Sequence, residues 1–390
     1  MTSHGSPGSY GRPGRPGRPG RPGRPGRPGG TATIRRYLPV AALLALLVWL
    51  VPGAAARPAL AAARPALAAQ DAATAALCGI HRPAKARILH VIVVMLENRS
   101  YRQVVGSANA PFQTSLAAQC GVATAMFGAT HYSAANYLAV SGGQYPAAST
   151  GGCNTLVICE TSANNLYHQL DRAGLTWRSY QEAMGSACDS HTGGGYGYKL
   201  GHNPVIFYRD ISRPACRSGD LGVPSLTAKA GAFWRALRSQ ALPSFTWISP
   251  DRADDGEGAG TSADQEQAAD TWLRKFVGLV GASPIYRAGR TLVLVTYDEG
   301  SGGDAVRGED CSDRQLDMPV KNGKSRLQDS CHIPLFVLYP YATAGRLDGT
   351  FFDDYSITRT VEQLFGLPYL AHAADGDTSS LLGHFGLPAG

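Results

Sequence analysis

A histidine, a serine and an asparagine stand close together in the segment HYSAANYLAVSGG, where a buried helix would normally carry bulky apolar residues. A serine hydroxyl is a weak nucleophile near neutral pH and needs a base or a metal ion to activate it. At a helix N-terminus it also meets the positive end of the helix dipole, which favours a phosphoryl group. The pattern predicts that Ser133 is a nucleophile and that Asn136 donates to the phosphate oxygens. The alternative is that Ser133 is only a helix N-cap.

Acidic and amide side chains follow three apolar runs of the sequence. They are, in chain order, Glu97, Asn98, Asp255, Asp298 and Glu299. Each of the three ends, taken alone, could be a helix cap or a turn. If the runs are strands of one parallel sheet, however, their ends meet, and clustered carboxylates repel one another unless a cation neutralises them. The sequence therefore predicts a divalent metal site at that edge of the sheet.

Apolar runs and helical patterns alternate along the chain. Continuous β-branched or apolar runs, typical of strands covered on both faces, occupy residues 88–95, 244–249, 290–297 and 333–339. Helical patterns cover residues 164–172, 226–238, 264–279 and 356–365. This alternation predicts an α/β fold with a mainly parallel sheet and helices on both faces. In such sheets, ligands bind outside the carboxyl ends of the strands.

The net charge of +7 originates in the N-terminal segment of the chain. Eight of the 36 Lys and Arg residues lie in residues 1–36, which hold no Asp or Glu. The remaining 28 face 29 acidic residues, which gives a net charge of −1. Since nucleic-acid binding depends on basic side chains that neutralise phosphates, the composition argues against a nucleic-acid partner.

The first 77 residues differ in composition from the rest of the chain. The Gly-Arg-Pro repeat of residues 1–36 predicts a disordered basic leader. Residues 37–56 hold an uncharged apolar run, shorter than the roughly 20 residues of a membrane span, followed by alanines, which is typical of a signal peptide and its cleavage region. The repeated ARPALAA indicates an Ala/Pro linker over residues 57–77. We expect a catalytic domain at 78–390, secreted or in the cell envelope, with membrane contact only through an uncleaved signal segment.

The eight cysteines all lie beyond the expected cleavage region, and their number is even. They are Cys78, Cys120, Cys153, Cys159, Cys188, Cys216, Cys311 and Cys331. In an exported chain this favours up to four disulfides, whose pairing the sequence does not fix, although Cys311 with Cys331 would close a short loop. Free buried thiols are the alternative. The short-range Cys and His pairs of a structural zinc site are absent from the sequence.

Six motifs occur in a characteristic order: HVIVVMLENRS, HYSAANYLAVSGGQYP, WISPDRADD with a downstream ADTWL, TLVLVTYDEGSG, HIPLFVLYPYA and DDYSITRTVEQLFGLP. Together they resemble the bacterial phosphoesterase family of secreted acid phosphatases and phospholipases C, in the alkaline phosphatase superfamily. The resemblance covers about residues 85–370. It implies a three-layer α/β/α sandwich of the alkaline-phosphatase type and a hydrolase of phosphoric ester bonds that works through a phosphoserine.

By position, the resemblance assigns metal binding to the residues listed above at the strand ends and the nucleophile to Ser133. Glu257 and Asp354 stand where the family usually has histidines, and Tyr132 and Ala135 where it usually has prolines. Either Glu257 and Asp354 replace imidazoles as ligands, which favours harder cations such as Mg²⁺, Mn²⁺ or Ca²⁺, or the activity is weakened. The expected cofactor is a divalent ion, Mg²⁺, Mn²⁺, Ca²⁺ or Zn²⁺, whose identity the sequence leaves open.

His202 and His332 are further candidates for contact with metal or substrate, and ordinary hydrogen-bonded histidines are the alternative for both. The expected function is that of an exported, metal-dependent acid phosphatase, with a phosphate monoester as substrate. The alternatives are a phospholipase C or other phosphodiesterase, which would act on a phospholipid, and a catalytically weakened relative that binds phosphate or metal.

Overall fold

The strands identified in the sequence are present and lie side by side in one sheet. A computed structural model of the chain describes residues 77–80, 87–144, 160–193, 195–301 and 331–388. Its strands are β1 (His90–Leu96), β2 (Gly121–Phe127), β3 (Trp177–Glu182), β4 (Asp220–Val223), β5 (Phe245–Ser249), β6 (Thr291–Tyr297), β7 (His332–Leu338), β8 (Arg346–Asp348) and β9 (Phe352–Asp353). The strand order is β4-β3-β5-β1-β6-β7-β2-β8, and β9 also pairs with β2.

The sheet is mainly parallel, as predicted. β1 runs parallel to both of its neighbours, β5 and β6. β7 is the exception, because it runs antiparallel to β6 and to β2. The N-terminus of β7 therefore lies at the same edge of the sheet as the C-termini of the other strands, which the apolar pattern of 333–339 did not indicate.

The α-helices among the described residues are α1 (Tyr101–Val104), α2 (Pro111–Gln119), α3 (Ser133–Gly142), α4 (Leu166–Arg172), α5 (Arg213–Gly219), α6 (Gly231–Arg238), α7 (Ser262–Gly281), α8 (Pro284–Arg287) and α9 (Asp354–Phe365). Contacts join them in two groups: α3 packs on α4 and α9, while α7 packs on α2 and α8, and α8 also contacts α6. Two groups of helices around one sheet agree with the predicted layers on both faces.

The central strand explains why the edge of the sheet is well placed to hold a site. All six residues from Val91 to Leu96 are fully buried, so β1 is covered on both faces. Side chains that follow such a strand emerge from a rigid, packed support. The β5-β1-β6 order also places three predicted strand ends next to one another.

Five cysteines among the described residues are disulfide-bonded. Cys78 is bonded to Cys120, Cys188 is bonded to Cys216, and Cys331 is also disulfide-bonded. The prediction of disulfides is confirmed for these residues, whereas Cys153, Cys159 and Cys311 lie outside the described residues.

The predicted leader and signal segment, and all of the linker except Leu77, also lie outside the described residues. Among the residues that the structure describes, none of the helices has both the length and the apolar character that a membrane crossing requires.

Candidate active site

Three strand ends are joined by backbone hydrogen bonds just beyond the edge of the sheet. The Glu97 N–H, after β1, donates to the Asp255 carbonyl in the loop after β5 (2.8 Å). The Asp298 N–H, after β6, donates to the carbonyl of Leu96 (2.9 Å). The three acidic residues are therefore held in fixed relation to one another, as the sequence predicted for the ends of neighbouring parallel strands.

Close approach of the loops depends on two glycines. Gly256 has a φ of +112°, and a Cβ there would lie 2.5 Å from the Glu97 carbonyl oxygen. A Cβ on Gly128, just after β2, would lie 2.6 Å from the carbonyl oxygen of Asp298. Because these positions admit no side chain without a shift of the backbone, the two glycines set how tightly the strand ends pack.

Glu97 is at the centre of the cluster and is fully buried. Its carboxylate accepts hydrogen bonds from Ser133 Oγ (3.0 Å), Tyr137 OH (2.8 Å) and Asn98 Nδ2 (2.9 Å). Burial, followed by the charge of Asp298, raises the pKa of Glu97 well above its ordinary value. A carboxylate in this position is costly to ionise unless a cation compensates for it.

Ser133 is the first residue of α3, and its hydroxyl points at Glu97 rather than at the helix backbone. The N-cap of α3 is Tyr132, which makes no side-chain cap hydrogen bond. Ser133 is thus not the N-cap, which was the alternative interpretation of this residue. Its role as a nucleophile stays a prediction, and the geometry leaves lone pairs of Oγ available because the hydroxyl is the donor in the bond to Glu97.

Asn136 braces the loop that leads into α3. Its Nδ2 donates to the Thr130 carbonyl (2.8 Å), and its Oδ1 accepts from the Thr130 N–H (2.9 Å). The side chain is fully buried. These bonds position Ser133 through the loop, and the predicted contact of Asn136 with phosphate stays a prediction.

Asn98 and Asp298 form the second part of the cluster. Asn98 has a φ of +55°, which turns its N–H onto Asp298 Oδ1 (2.9 Å). Burial and the neighbouring Glu299 charge raise the pKa of Asp298 to about 7. Glu299 Oε2 lies 3.5 Å from Nδ1 of the buried His131.

His202 lies between two of the carboxylates. Its Nε2 is 3.1 Å from Glu97 Oε1, and its Nδ1 is 3.4 Å from Asp255 Oδ2. Its ring stacks on Tyr137 with 5.4 Å between ring centroids. Burial lowers the pKa of His202 to about 3, which leaves the imidazole neutral and its nitrogen lone pair available. Burial raises the pKa of Asp255 to about 8.

The donor set fits a divalent cation. Four buried atoms of the cluster make no hydrogen bond in the described structure: His202 Nε2, Asp255 Oδ2, Asp298 Oδ2 and Asp354 Oδ1. All four are atom types that ligate metals, and buried polar groups that lack a partner are rare and costly. Ligand atoms of Glu97, His202 and Glu257 also lie within 4.8 Å of one another.

The three remaining candidates have different surroundings. Asp354 begins α9, is fully buried and accepts from the Ala129 N–H (3.0 Å), and burial raises its pKa well above the ordinary value. Glu257 has its Oε2 paired with two basic side chains, Lys199 and Arg252. His332 lies at the start of β7, where its Nε2 is 2.9 Å from the Thr124 carbonyl and its ring stacks on Tyr101.

Four residues of the site were not singled out from the sequence: His131, Tyr137, Lys199 and Arg252. His131 lies two residues before Ser133 and Tyr137 lies one helical turn after it, so both lie near the N-terminal end of α3. Lys199 lies three residues before His202 in a Gly-rich stretch that carries neither a strand nor a helix pattern. Its position could be found only once the loop after β3 was placed against the edge of the sheet.

The chain is similar to known proteins over most of its length. The model of the Phosphoesterase family matches residues 107–368, which is more than half of the chain. The chain belongs to the Phosphoesterase family. This membership confirms both the family resemblance and the predicted class of enzyme, a hydrolase of phosphoric ester bonds. The matched region begins after Glu97 and Asn98 and includes the other candidate residues of the site.

Relatives of this phosphoesterase include enzymes with different named substrates. A phosphatidylinositol-3-phosphatase of Mycobacterium tuberculosis is 27% identical over 76% of this chain and 83% of its own length. A probable acid phosphatase of Kluyveromyces lactis is 25% identical over 74% of this chain and 61% of its length. A non-hemolytic phospholipase C of Pseudomonas aeruginosa is 27% identical over 51% of this chain, but this covers only 29% of that enzyme.

A solved structure supports the fold of the phosphoesterase. The crystal structure of Ps i-CgsB superposes with a TM-score of 0.50 at 16% identity and covers 77% of this chain and 76% of that one. At this identity the similarity concerns the fold alone. The predicted α/β architecture is confirmed.

Proposed function

We propose that this phosphoesterase is a metal-dependent phosphatase that hydrolyses phosphate monoesters through a phosphoserine on Ser133. One observation carries the proposal: the Ser133 hydroxyl bonds to Glu97 inside a cluster of buried carboxylates that have atoms without donors. A hydroxyl at a helix N-terminus beside a cation site is the arrangement that serine-based phosphoryl transfer needs.

The residues that fit the cation are Glu97, Asp255, Asp298 and His202, with Asn98, Glu299 and Asp354 beside them. When bound, a divalent ion would neutralise charge on the phosphate and make the serine hydroxyl more acidic. Carboxylate oxygens dominate this set, which favours Mg²⁺, Mn²⁺ or Ca²⁺, while a single imidazole is also compatible with Zn²⁺.

The chain's own groups supply the remaining steps. Ser133 Oγ forms a bond to phosphorus while the bond from phosphorus to the ester oxygen breaks, and the proton of the hydroxyl passes to Glu97 Oε2. The ester oxygen takes up a proton from solvent water and leaves as the alcohol. A second water molecule then adds to phosphorus, the bond from phosphorus to Ser133 Oγ breaks, Oγ regains the proton from Glu97, and inorganic phosphate is released. In the first turn of α3, the N–H groups of Ala135 and Asn136 donate to the Tyr132 carbonyl. The N–H groups of Ser133 and Ala134, which precede them, would be the ones to donate to phosphate oxygens.

We also propose that the enzyme works outside the cytoplasm. Disulfides at Cys78, Cys120, Cys188, Cys216 and Cys331 support this, because such bonds persist in oxidising compartments. The sequence pattern of residues 37–56 supports a signal peptide. Mass spectrometry of the exported protein would find a new N-terminus near Ala56 if the segment is cleaved.

Replacement of Ser133 tests the mechanism. Ser133→Ala should lower kcat for p-nitrophenyl phosphate by at least about a thousandfold with metal content unchanged. Acid quench of the wild-type enzyme with substrate should leave phosphate on the peptide that contains Ser133. The matched control is Ser141→Ala on the same helix, whose hydroxyl bonds only to Tyr137 and Tyr208. Substantial activity of Ser133→Ala would exclude the mechanism.

The relatives include a phospholipase C, which makes a diesterase the second candidate. A substrate panel separates the two: p-nitrophenyl phosphate and a phosphatidylinositol phosphate are monoesters, whereas bis(p-nitrophenyl) phosphate and phosphatidylcholine are diesters. We expect the monoesters to be preferred. Higher kcat/KM on the diesters would assign the enzyme to the second class.

A further inference from the structure

Two basic side chains lie at the rim of the carboxylate cluster, where the proposed cation does not account for them. Lys199 Nζ is 3.1 Å from Glu257 Oε2, and Arg252 Nε is 3.3 Å from the same oxygen. The three side chains are 22%, 26% and 30% exposed for Lys199, Arg252 and Glu257, so they lie between the buried cluster and solvent. We call Lys199 and Arg252 the rim cations.

The rim cations are held in place by their local structure. Lys199 directly precedes the short 3₁₀ helix Leu200–His202, so one segment brings His202 to Glu97 and Lys199 to Glu257. Ser249 Oγ anchors that segment by donating to the His202 carbonyl (2.7 Å). Arg252 also donates to the Gly195 carbonyl (3.3 Å) and lies over the Tyr196 ring, 5.4 Å from its centroid.

Lys199 and Arg252 converge on a single carboxylate oxygen, Glu257 Oε2, so two basic side chains share one acidic partner at the rim. A half-buried positive charge beside an accessible site attracts an anion.

We propose that the rim cations bind the phosphate oxygens of the substrate and select doubly charged monoesters over singly charged diesters. This proposal rests on the proposed function of the same site. A lysine ammonium offers three donors and a compact charge, and its attraction to a dianion exceeds its attraction to a monoanion. Glu257 then anchors Lys199 and Arg252 and aims them at the site.

Substrate selectivity tests the role of Lys199. In the metal-loaded enzyme, Lys199→Met should lower kcat/KM for p-nitrophenyl phosphate about 30- to 100-fold. The loss in kcat/KM for bis(p-nitrophenyl) phosphate should be at least about tenfold smaller. Lys199→Arg should recover most of the loss, because the charge is retained. The control Lys229→Met removes an exposed lysine and should leave the ratio of kcat/KM for the monoester to kcat/KM for the diester unchanged. An equal loss on both substrates would overturn the proposal.

A binding measurement separates this proposal from the proposed mechanism. In metal-loaded Ser133→Ala, calorimetry with inorganic phosphate should show binding, and adding Lys199→Met should weaken it at least about tenfold with the metal content unchanged. Unchanged phosphate affinity, or loss of metal, would overturn the role of Lys199. If Ser133→Ala stays active, the mechanism fails while the phosphate affinities still decide the present proposal. Arg252→Gln provides a second variant should Lys199→Met not fold.

Discussion

Two buried glutamates at the ends of parallel strands have opposite surroundings. Glu182 ends β3, and its two oxygens accept from the Leu226 N–H (2.8 Å) and from Trp272 Nε1 (2.7 Å). Glu97 follows β1 and shares its space with other carboxylates, a histidine and the Ser133 hydroxyl. Burial raises the pKa of both glutamates. Burial alone therefore does not mark a catalytic site, and what distinguishes Glu97 is the excess of acceptors around it.

The largest difference that we expect between Glu97 and Glu182 is in the activity of their variants. Glu97→Gln should abolish hydrolysis of p-nitrophenyl phosphate, with a loss of at least about a thousandfold, because the variant removes a charge from the cation site and the acceptor of the Ser133 proton. The matched change, Glu182→Gln, should keep kcat within about threefold. Metal analysis of both variants shows whether the loss of activity is accompanied by a loss of bound metal. Equal activity losses in the two variants would mean that the contrast between the sites is wrong.

The second effect is on stability, where we expect the Glu182 variant to lose more than the Glu97 variant. Glu182→Ala should lower the free energy of unfolding by about 2–4 kcal/mol, since it leaves the Trp272 and Leu226 N–H groups buried without an acceptor. In the presence of a chelator, Glu97→Gln should lower the free energy of unfolding by less, because it relieves repulsion from Asp298 and Asp255. Urea unfolding of the two variants measures both values. A greater loss for Glu97→Gln would show that Glu97 stabilises the fold.

Gly256 links backbone packing to the Glu97 site. Gly256→Ala should lower kcat/KM about 10- to 50-fold, because the Cβ collides with the Glu97 carbonyl and shifts the strand ends apart. Gly174→Ala is the matched control, since Gly174 also has a positive φ (+68°) but no atom within 4 Å of an added Cβ. Activity assays with a thermal melt of each variant separate the collision from the φ preference. Similar activity of the two variants would contradict the packing argument.

The smallest effect is the pH dependence of stability at Glu182. Its pKa in the folded protein is raised to about 7 by burial, so the folded state binds the proton more tightly than the unfolded state does. The stabilisation is present at low pH and is lost as the pH rises towards 7. From pH 5.5 to 7.5 the wild type should lose about 1–2 kcal/mol that Glu182→Gln does not lose. Parallel pH slopes in urea unfolding would refute the shift.

The sequence predicted the strand ends better than the loops between them. Glu97 and Asp298 follow long apolar runs, whose burial on both faces leaves a pattern that is visible without a structure. β3, with the sequence WRSYQE, carries no such run, and it was missed although its neighbours bury it. The antiparallel direction of β7 was also invisible, because strand direction depends on contacts distant in sequence.

The rim of the site was harder to foresee for a related reason. Lys199 and His202 come from a loop whose path is set by packing against Ser249 and the helix α3, rather than by any local periodicity. The two bonds of the Asn136 amide to the backbone of Thr130 were likewise not visible in the sequence, and its contact with phosphate stays a prediction. Residue type and spacing identify groups capable of chemistry, while their hydrogen-bond partners decide which of them face the substrate.

The Cys78–Cys120 disulfide has a mechanical consequence. Cys120 directly precedes β2, while the backbone of Gly79 and Ile80 is hydrogen-bonded to residues just after β7. A force on the chain ahead of Cys78 is therefore transmitted through the Cys78–Cys120 bond to the start of β2, rather than along the chain to β1. Tension applied to the chain ahead of Cys78 would therefore leave β1, the strand that precedes Glu97, in place.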